Sequence, residues 1–401
     1  MNKIDISAVK EKCTGCGGCI AICPTDAITM KFNEEGFEYP IIDKNKCISC
    51  GKCYTNCHAV NELNKPNTNS AYFGRCKDEN ILSKSSSGGF YYPLANRLEK
   101  AGWIIYGAVL LKEHWTVKHL SNKQEALEKQ MGSKYVQSST YEAFCDIVKR
   151  LNNGERVLFS GTPCQVAGLK SIVGKNDNLL CVDFICHGVP SPKVLSDKVQ
   201  DLEKQENSKL NDLRFRTKLG YWSKHKLYTE FENGKIAIDD CMCEDYFKLF
   251  LNNISLRKCC FSCKYSDKQH FADITIADYW GILRNNPKNN DEKGLSLIII
   301  NTDKGNNAFQ MIKDELDVTS LDSDNASYVY KTHDNYSKNA RDKFFRAYTT
   351  QGYKAAINQV PIKRSLIDKF FDLKRTLLYR KIAKKLTLLN NRKIKHTHKN
   401  S

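Results

Sequence analysis

Cys13, Cys16, Cys19 and Cys23, closed by Pro24, form the run C-x-x-C-x-x-C-x-x-x-C-P. Cys47, Cys50, Cys53 and Cys57 repeat its internal spacing, every cysteine 34 positions after its counterpart. A triple C-x-x-C-x-x-C run caps three corners of a [4Fe-4S] cubane from one tight loop, while the fourth cysteine opens a helix that points elsewhere and serves the other cubane. Crossing the ligands in this way gives one site at Cys13, Cys16, Cys19 and Cys57 and a second at Cys47, Cys50, Cys53 and Cys23. Tetrahedral zinc also takes four cysteines, but it usually pairs two C-x-x-C knuckles across a longer loop. The chemistry these residues point to is one-electron transfer on two [4Fe-4S] clusters.

Ten further cysteines lie outside the runs, at 76, 145, 164, 181, 186, 241, 243, 259, 260 and 263. Cys145, on the apolar face of a predicted helix, and Cys181, within a predicted strand, read as small hydrophobes in the core, and Cys76 carries no signal. Cys260 and Cys263 make a C-x-x-C that needs two more ligands to hold a cluster. Cys164 and Cys186 are the geometrically sensible donors, with Cys241, Cys243 and Cys259 as competitors. Cys164 has a rival reading as a nucleophile with His187 as its base, because a cysteine where a strand turns into a helix also suits covalent catalysis.

Positioning these thiols takes two kinds of architecture. In the first sixty residues AITMKF and FEYPII flank NEEG, a strand-turn-strand signal, and Gly15, Gly17, Gly18 and Gly51 let backbone N–H groups approach sulfur. His58 stands where a second proline would be usual, which leaves the chain after Cys57 less rigid. After the polar stretch NELNKPNTNS, residues 61–70, strands and helices alternate. The segment from SGGFYYPLANRLEKAG reads as a helix, WIIYGAVL as a strand, YEAFCDIVKRLNNG as a helix, RVLFSG as a strand, CQVAGLKSIV as a helix and NLLCVDFICHG as a strand. That is an α/β pattern with parallel strands, whose ligand crevice lies at the C-terminal strand ends, where Cys164 and Cys186 fall. A hairpin at KLYTEFENGKIAID, a strand at FADITIADYWG and a strand and helix across GLSLIIINTDKGNNAFQMIKDEL follow. No separate dinucleotide fingerprint or Walker loop occurs.

Composition excludes some functions. The longest apolar run, WIIYGAVLL at 103–111, is far short of the roughly 20 residues of a spanning helix, so no transmembrane segment is expected. The start, MNKIDISAVK, lacks the apolar stretch of a signal peptide, and 18 cysteines in a reducing cytoplasm argue for metal rather than disulfides. The net charge of +17 is uneven: residues 361–401 hold 13 Lys and Arg against two Asp, leaving +6 for the rest. A charge confined to a tail does not mark a nucleic-acid-binding body, and none is expected to bind. Leu366, Phe370, Leu373, Leu377 and Ile382 or Leu386 make the tail a basic amphipathic helix. It is expected to dock on the body, with an acidic redox partner or an anionic membrane surface as the other readings.

Six segments then occur in a recognisable order: SSSGGF (85–90), GSKYVQS (132–138), GTPCQVAGLK (161–170), ICHGVPSP (185–192), RKCCFSC (257–263) and FADITIADYWG (271–281). With them the chain resembles the family of the beta subunits of coenzyme F420 hydrogenase and dehydrogenase, with a two-cluster ferredoxin module fused in front. The resemblance covers roughly residues 70–320. It implies a third [4Fe-4S] cluster at Cys164, Cys186, Cys260 and Cys263, Cys259 lying outside the motif register. It also implies FAD, approached by Ser87, Gly88 and Gly89 at a helix N-terminus and by Gly132, Ser133, Lys134, Tyr135, Thr162 and Pro163.

The expected organisation is an α+β ferredoxin-like module at 1–65, an α/β flavin-binding region at 70–165, a region with the third cluster at 166–330, and a helical basic tail at 331–401. The expected activity follows from electron counting: clusters move one electron, hydride carriers two, and a flavin converts between them. The chain then passes electrons between clusters, FAD and a hydride-carrying small molecule such as the deazaflavin coenzyme F420, served by a ferredoxin or another oxidoreductase subunit. No residue is assigned as catalytic. The alternatives are a non-catalytic electron-transfer protein that serves a partner enzyme and a Cys164 nucleophile enzyme.

Overall fold

Asn33 explains the first hairpin. Its side-chain oxygen accepts from the Phe37 amide at 2.8 Å and its own amide donates to the Phe37 carbonyl at 2.9 Å. This closes the NEEG turn between β1 (Ile28–Phe32) and β2 (Glu38–Ile42), which pair antiparallel from Ile28↔Ile42 to Phe32↔Glu38. Two short helices, Gly18–Ala21 and Lys52–Thr55, carry the third cysteine of each run. The fourth cysteines, Cys23 and Cys57, come just after these helices instead of opening new ones, because the Cys23 and Cys57 amides close the preceding turn onto Ile20 and Tyr54. Ile6, Val9 and Ile28 form the module's own small core against the cysteine loops.

The structure, a computed structural model, describes residues 5–63, 70–219, 222, 225–240, 244–266, 270–282, 291–321, 335–360, 377–378 and 380–390. Cys241, Cys243, Leu366, Phe370 and Leu373 lie outside these residues.

From Ser70 the chain builds β3 (Ser70–Cys76), β4 (Ile104–Leu111), β5 (Thr116–Ser121), β6 (Ser138–Ser139), β7 (Val157–Ser160), β8 (Leu179–Phe184), β9 (Leu210–Arg214), β10 (Lys226–Phe231), β11 (Ile236–Asp240), β12 (Ile274–Asp278), β13 (Ser296–Ile300) and β14 (Leu316–Leu321). Nine of them form one sheet in the order β14-β3-β13-β12-β8-β7-β4-β5-β6, and β9, β10 and β11 form a small antiparallel sheet. The centre, β4-β7-β8-β12, is parallel, and antiparallel strands flank it. The run VLFS in β7 and LLCVDF in β8 are buried almost throughout, which is why they read as continuous apolar segments rather than alternating ones.

The expected helices form at Tyr91–Lys100, Tyr141–Asn152, Pro163–Val173 and Asp303–Gln310. Thr162 and Gln165 close the third with a reciprocal capping box, Pro163 at its first turn. Cys181 and Cys76 are buried in the core. Cys145 is half-buried; the core face of its helix is Ala143, Phe144, Ile147 and Leu151 instead.

Two expected boundaries meet a different architecture. The division at residue 165 falls inside the helix Pro163–Val173, and β7 and β8 pair across it from Val157↔Leu179 to Ser160↔Val182, so both regions share one sheet. The tail expected from residue 331 begins as body: the helices Asn335–Gln351 and Tyr353–Asn358 bury Phe344, Phe345, Tyr348 and Ala356 in the core. Farther on, residues 380–390 are helical and pack Ile382, Ala383 and Leu386 on Tyr228, Ile236 and Ile238, while Leu377 is exposed. The Ile236 amide donates to Thr387 Oγ1 at 2.9 Å, so this described part of the basic helix lies against the small sheet. Among the described residues no helix is long and apolar enough to cross a membrane.

Candidate iron-sulfur and flavin site

The eight cysteines of the module surround two cavities. Cys13, Cys16, Cys19 and Cys57 line one with Gly17, Gly18, Met30, Pro40 and His58; Cys23, Cys47, Cys50 and Cys53 line the other with Pro24, Ile28, Ile42 and Gly51. Cys53 stands on the wall between them and reaches both. Burial and the neighbouring thiolates push the Cys13 and Cys19 thiols up, and Cys16 to about 12. Such thiols become thiolates when metal coordination replaces the proton. The Gly15 amide donates to Cys13 Sγ and the Ala27 amide to Cys23 Sγ, both at 3.4 Å. The donor set, its enclosure and the amides aimed at sulfur fit a [4Fe-4S] cluster in each cavity.

The body grips the first cavity's loop by its carbonyls. Arg257 Nε donates to the Cys13 carbonyl at 2.8 Å, Gln137 Nε2 to that of Thr14 at 3.0 Å and Thr140 Oγ1 to that of Cys16 at 2.7 Å. In a trans peptide the N–H points opposite the C=O, so holding these oxygens outward turns the following amides toward the sulfurs. The approach is close enough to demand glycine. A Cβ on Gly15 would meet Gln137 Nε2 at 2.6 Å and Arg257 Nη1 at 2.8 Å, and one on Gly17 would meet Tyr141 Cβ at 2.5 Å. Both glycines also hold left-handed φ angles, +71° and +75°.

The contact continues to Cys164. Gly168, one helical turn after Cys164, packs so closely on the module that a Cβ there would lie 2.7 Å from Cys16 Sγ. His58 is the second bridge: its Nδ1 meets the Tyr265 hydroxyl and its Nε2 lies 3.2 Å from Thr14 Oγ1. Burial depresses His58 to about 3, so the ring is neutral. Burial and the thiolates of Cys164, Cys16, Cys263 and Cys57 all push the Tyr265 phenol up, which puts this ring between the two groups of cysteines.

Of the four cysteines expected for a third cluster, three interact directly. Cys164 sits in the first turn after β7, Cys186 just beyond β8 and Cys263 after the turn Lys258–Ser262. Burial and mutual thiolate repulsion push Cys164 and Cys186 well above the usual thiol range. Cys260 packs against the core of the small-sheet side and hydrogen-bonds Cys259, and it is Cys259 whose charge acts on Cys164 and on Cys13. Cys164 is 3.2 Å from Thr162 Oγ1, and His187 packs edge-on against Phe250 at 4.9 Å. A thiol with its proton held on by burial is the reverse of an activated nucleophile.

The residues expected around FAD divide. Ser133 N donates to Ser86 Oγ at 2.7 Å, which joins the 132–135 segment to the 85–89 loop. Ser87 Oγ already donates to the Leu295 carbonyl, and Gly88 N to Ser296 Oγ, so those two donors are spent on β13 and its lead-in. Gly89 keeps a left-handed φ of +81° ahead of the helix Tyr91–Lys100, and Gly132 one of +79°. Thr162 and Pro163 belong to the cap beside Cys164. Burial lowers Lys134 to about 7, with Nζ held by the Lys129 and Met131 carbonyls.

Beside Tyr135 stands a group that sequence reasoning missed. Arg216 pairs with Asp278 at 2.5 Å and lies 5.7 Å from the rings of both Trp222 and Trp280, while His225 lies 5.5 Å from Tyr135. Arg216 Nε and Asp278 Oδ1 are buried without a hydrogen-bond partner among the described residues. The available signal was Asp278 at the end of β12, within ADYWG. Orphaned buried polar atoms beside Tyr135 fit a polar ring system such as a flavin, whereas Ser87 and Gly88 as they stand do not fit its diphosphate.

Comparison with known proteins places these features. Residues 154–324 match the model of the C terminus of the coenzyme F420 hydrogenase/dehydrogenase beta subunit, and residues 12–60 match a 4Fe-4S dicluster domain. The F subunit of the F(420)H(2) dehydrogenase of Methanosarcina mazei is 22% identical over 334 residues, covering 77% of this chain and 84% of that protein. The VorC subunit of the ketoisovalerate oxidoreductase of Methanothermobacter marburgensis is 32% identical over 71 residues, 17% of this chain and 82% of that protein. A chain of the F420-reducing [NiFe] hydrogenase complex from Methanosarcina barkeri superposes with a TM-score of 0.44 at 17% identity, covering 73% of this chain and 91% of that chain.

Proposed function

We propose, on the premise that this chain belongs to the family of coenzyme F420 hydrogenase/dehydrogenase beta subunits and carries a 4Fe-4S dicluster domain in front of it, that it joins one-electron transfer to hydride chemistry. The observation that carries the reading is the contact between Cys16 and Gly168, where a Cβ would come within 2.7 Å of the sulfur. It sets the module's inner cysteine cavity one helical turn from Cys164.

Cys13, Cys16, Cys19 and Cys57 hold one [4Fe-4S] cluster, and Cys23, Cys47, Cys50 and Cys53 another. Cys164, Cys186 and Cys263, with a fourth thiol from the adjacent Cys259 and Cys260, hold a third. When bound, such clusters supply one-electron transfer. The chain's part is to bury the inner sulfurs, exclude water with Tyr265 and His58, and hold the loop carbonyls outward through Arg257, Gln137 and Thr140. FAD belongs beside Lys134, Tyr135, Arg216 and Asp278, where a buried lysine and arginine suit an electron-rich ring, and Ser87 and Gly88 must release β13 to reach a diphosphate. The substrate is a small hydride carrier of the deazaflavin class, and the protein partner a ferredoxin or an oxidoreductase subunit. Cysteines kept as cluster ligands rather than disulfides suit a reducing, cytoplasmic setting.

Iron, acid-labile sulfide and flavin per chain, measured on anaerobically purified protein, test this. About twelve irons and one FAD are expected for three clusters and a flavin. About twelve irons without flavin makes the chain a pure electron-transfer protein, the reading that the spent donors of Ser87 and Gly88 favour. About eight irons removes the third cluster.

A further inference from the structure

A buried cation needs an anion, and Arg257 is fully buried with no ion-paired carboxylate among the described residues. Three of its five N–H donors go to uncharged oxygens: the Cys13 carbonyl at 2.8 Å, Gln137 Oε1 at 3.0 Å and the Glu38 carbonyl at 2.9 Å. Tyr39 and Phe37 present their rings to it at 4.2 and 5.5 Å. The two comparable arginines are answered differently, Arg341 by Glu35 and Arg216 by Asp278. Leaving a charge buried and unpaired costs several kcal/mol, so Arg257 needs a partner. The acidic groups that act on it are led by Cys13, followed by Cys259, Tyr39 and Cys260. Four thiolates around an oxidised cubane carry a charge of about −2, and bound metal centres are often the largest local charges in a site.

We propose that Arg257 is the fixed counter-charge of the cluster on Cys13, Cys16, Cys19 and Cys57, and that it holds that cluster's reduction potential above that of its repeat twin on Cys23, Cys47, Cys50 and Cys53. The proposal rests on the cluster reading above. Adding an electron makes a cluster more negative, so a cation beside it favours the reduced form, and burial removes the solvent screening that would weaken the effect. Among the described residues the twin has no such neighbour: Lys44, Lys46 and Lys52 around it are exposed. Arg257 and Gln137 also fix the Cys13 and Thr14 carbonyls, so the same side chains aim amides at sulfur, which shifts the potential in the same direction. The device makes the inner site the better electron acceptor of the pair and directs electrons that enter at the outer site toward the body.

The test is a potentiometric titration of the full-length holoprotein followed by electron paramagnetic resonance, with iron counted in each sample. In Arg257→Gln one component should need a lower potential, its reduced-to-oxidised ratio at fixed potential falling about tenfold, which is about 59 mV for a one-electron couple. Gln137→Glu keeps the arginine and sets a carboxylate against it. It should move the same component the same way, and it stands in if Arg257→Gln does not fold. Arg257→Lys, which retains the charge, should recover most of the wild-type ratio. Ratios within twofold of wild type in both charge-changing variants, with iron intact, overturn the proposal and leave Arg257 as a clamp. A wild-type protein without cluster iron overturns the cluster reading instead.

Discussion

The two cysteine loops are copies of one motif with opposite surroundings. The first reads C-T-G-C-G-G-C and the second C-I-S-C-G-K-C, in register at 34 residues. Gly17 and Gly51 hold the same left-handed turn, at φ +75° in both. Gly15 and Ser49 also share a left-handed conformation, at +71° and +51°. Backbone geometry is therefore common to the copies, and the side chains record what covers each. Where the body presses on the first loop, glycine stands at 15 and 18; where the second loop meets solvent, serine, lysine and an isoleucine 64% exposed stand at 49, 52 and 48. The departure from the C-P pair in the second run obeys the same rule. Pro24 is exposed, while His58, at its equivalent position, bridges to Tyr265. A duplicated module has thus become an inner site and an outer one by losing side chains on one face.

The largest effect should come from removing one sulfur from each copy. Cys16→Ala and Cys50→Ala should each cost about four irons per chain. Only Cys16→Ala should stop a small viologen donor from reducing centres in the body through the module, because only the first loop touches the helix after Cys164. Equal stopped-flow rates in the two variants would show that the first loop is not the distinct gateway from module to body.

Exchanging the loops' own residues comes next. Gly15→Ser brings a Cβ within 3 Å of Gln137 and Arg257 at a left-handed φ, and overpacking plus strain should cost about 2–4 kcal/mol in denaturant unfolding. Ser49→Gly keeps that φ in solvent and should change stability by less than about 1 kcal/mol. Similar costs at both positions would mean that the glycines answer backbone geometry alone.

Much of this frame is legible in the sequence, for identifiable reasons. Cysteine spacing is a local property, and it named the two quartets that line the two cavities. Apolar periodicity located β4, β7, β8, β12 and β13 and the helices between them, because buried parallel strands leave continuous apolar runs. What failed to show depends on contacts across long stretches of chain. Arg257, Gln137 and Gly168 sit inside the motifs RKCCFSC, GSKYVQS and GTPCQVAGLK, yet their roles require the module to be docked 123 to 244 residues away. The competition between Cys259 and Cys260 depends on the direction of one short turn, Lys258–Ser262, which spacing does not encode. The helices from Asn335 onward look like a charged tail because Arg341, buried against Glu35, counts as a surface residue until that hairpin is in place.

The fourth-cysteine segments sharpen the comparison at a smaller scale. His58→Ala removes the ring that meets the Tyr265 hydroxyl and Thr14, leaving that hydroxyl only its long 3.4 Å bond to the His58 carbonyl, and should cost about 1–3 kcal/mol. Pro24→Ala, in solvent, should stay within about 0.5 kcal/mol. Acid separates them again. Folding holds His58 near 3 and His119 near 4, both below the unfolded value of about 6.5. The unfolded chain therefore binds more protons as pH falls below that value, and stability should drop by up to about 1.4 kcal/mol per pH unit for each histidine. His58→Gln, which keeps hydrogen-bonding capacity without titrating, should flatten the unfolding free energy between pH 6.5 and 5.5. An unchanged slope would place the acid sensitivity elsewhere.

The smallest effect sharpens the contrast most, because it concerns the neighbour of the most buried cation. Lys258 reaches Glu11 at 2.8 Å, so it too bridges module and body. Its side chain is 39% exposed and that of Glu11 72%, which gives water and salt full access to the pair. An exposed pair of this kind is worth about 0–1 kcal/mol, and Lys258→Ala should cost at most about 0.5 kcal/mol, a loss that vanishes in high salt. If Lys258→Ala instead weakened docking as much as removal of Arg257, charge at the rim would hold the module. The body's grip on loop carbonyls would then be a consequence of docking. If it does not, the asymmetry between the two loops is built from the inside, through a buried cation, two amide-orienting hydrogen bonds and the absence of a Cβ at Gly15, Gly18 and Gly168.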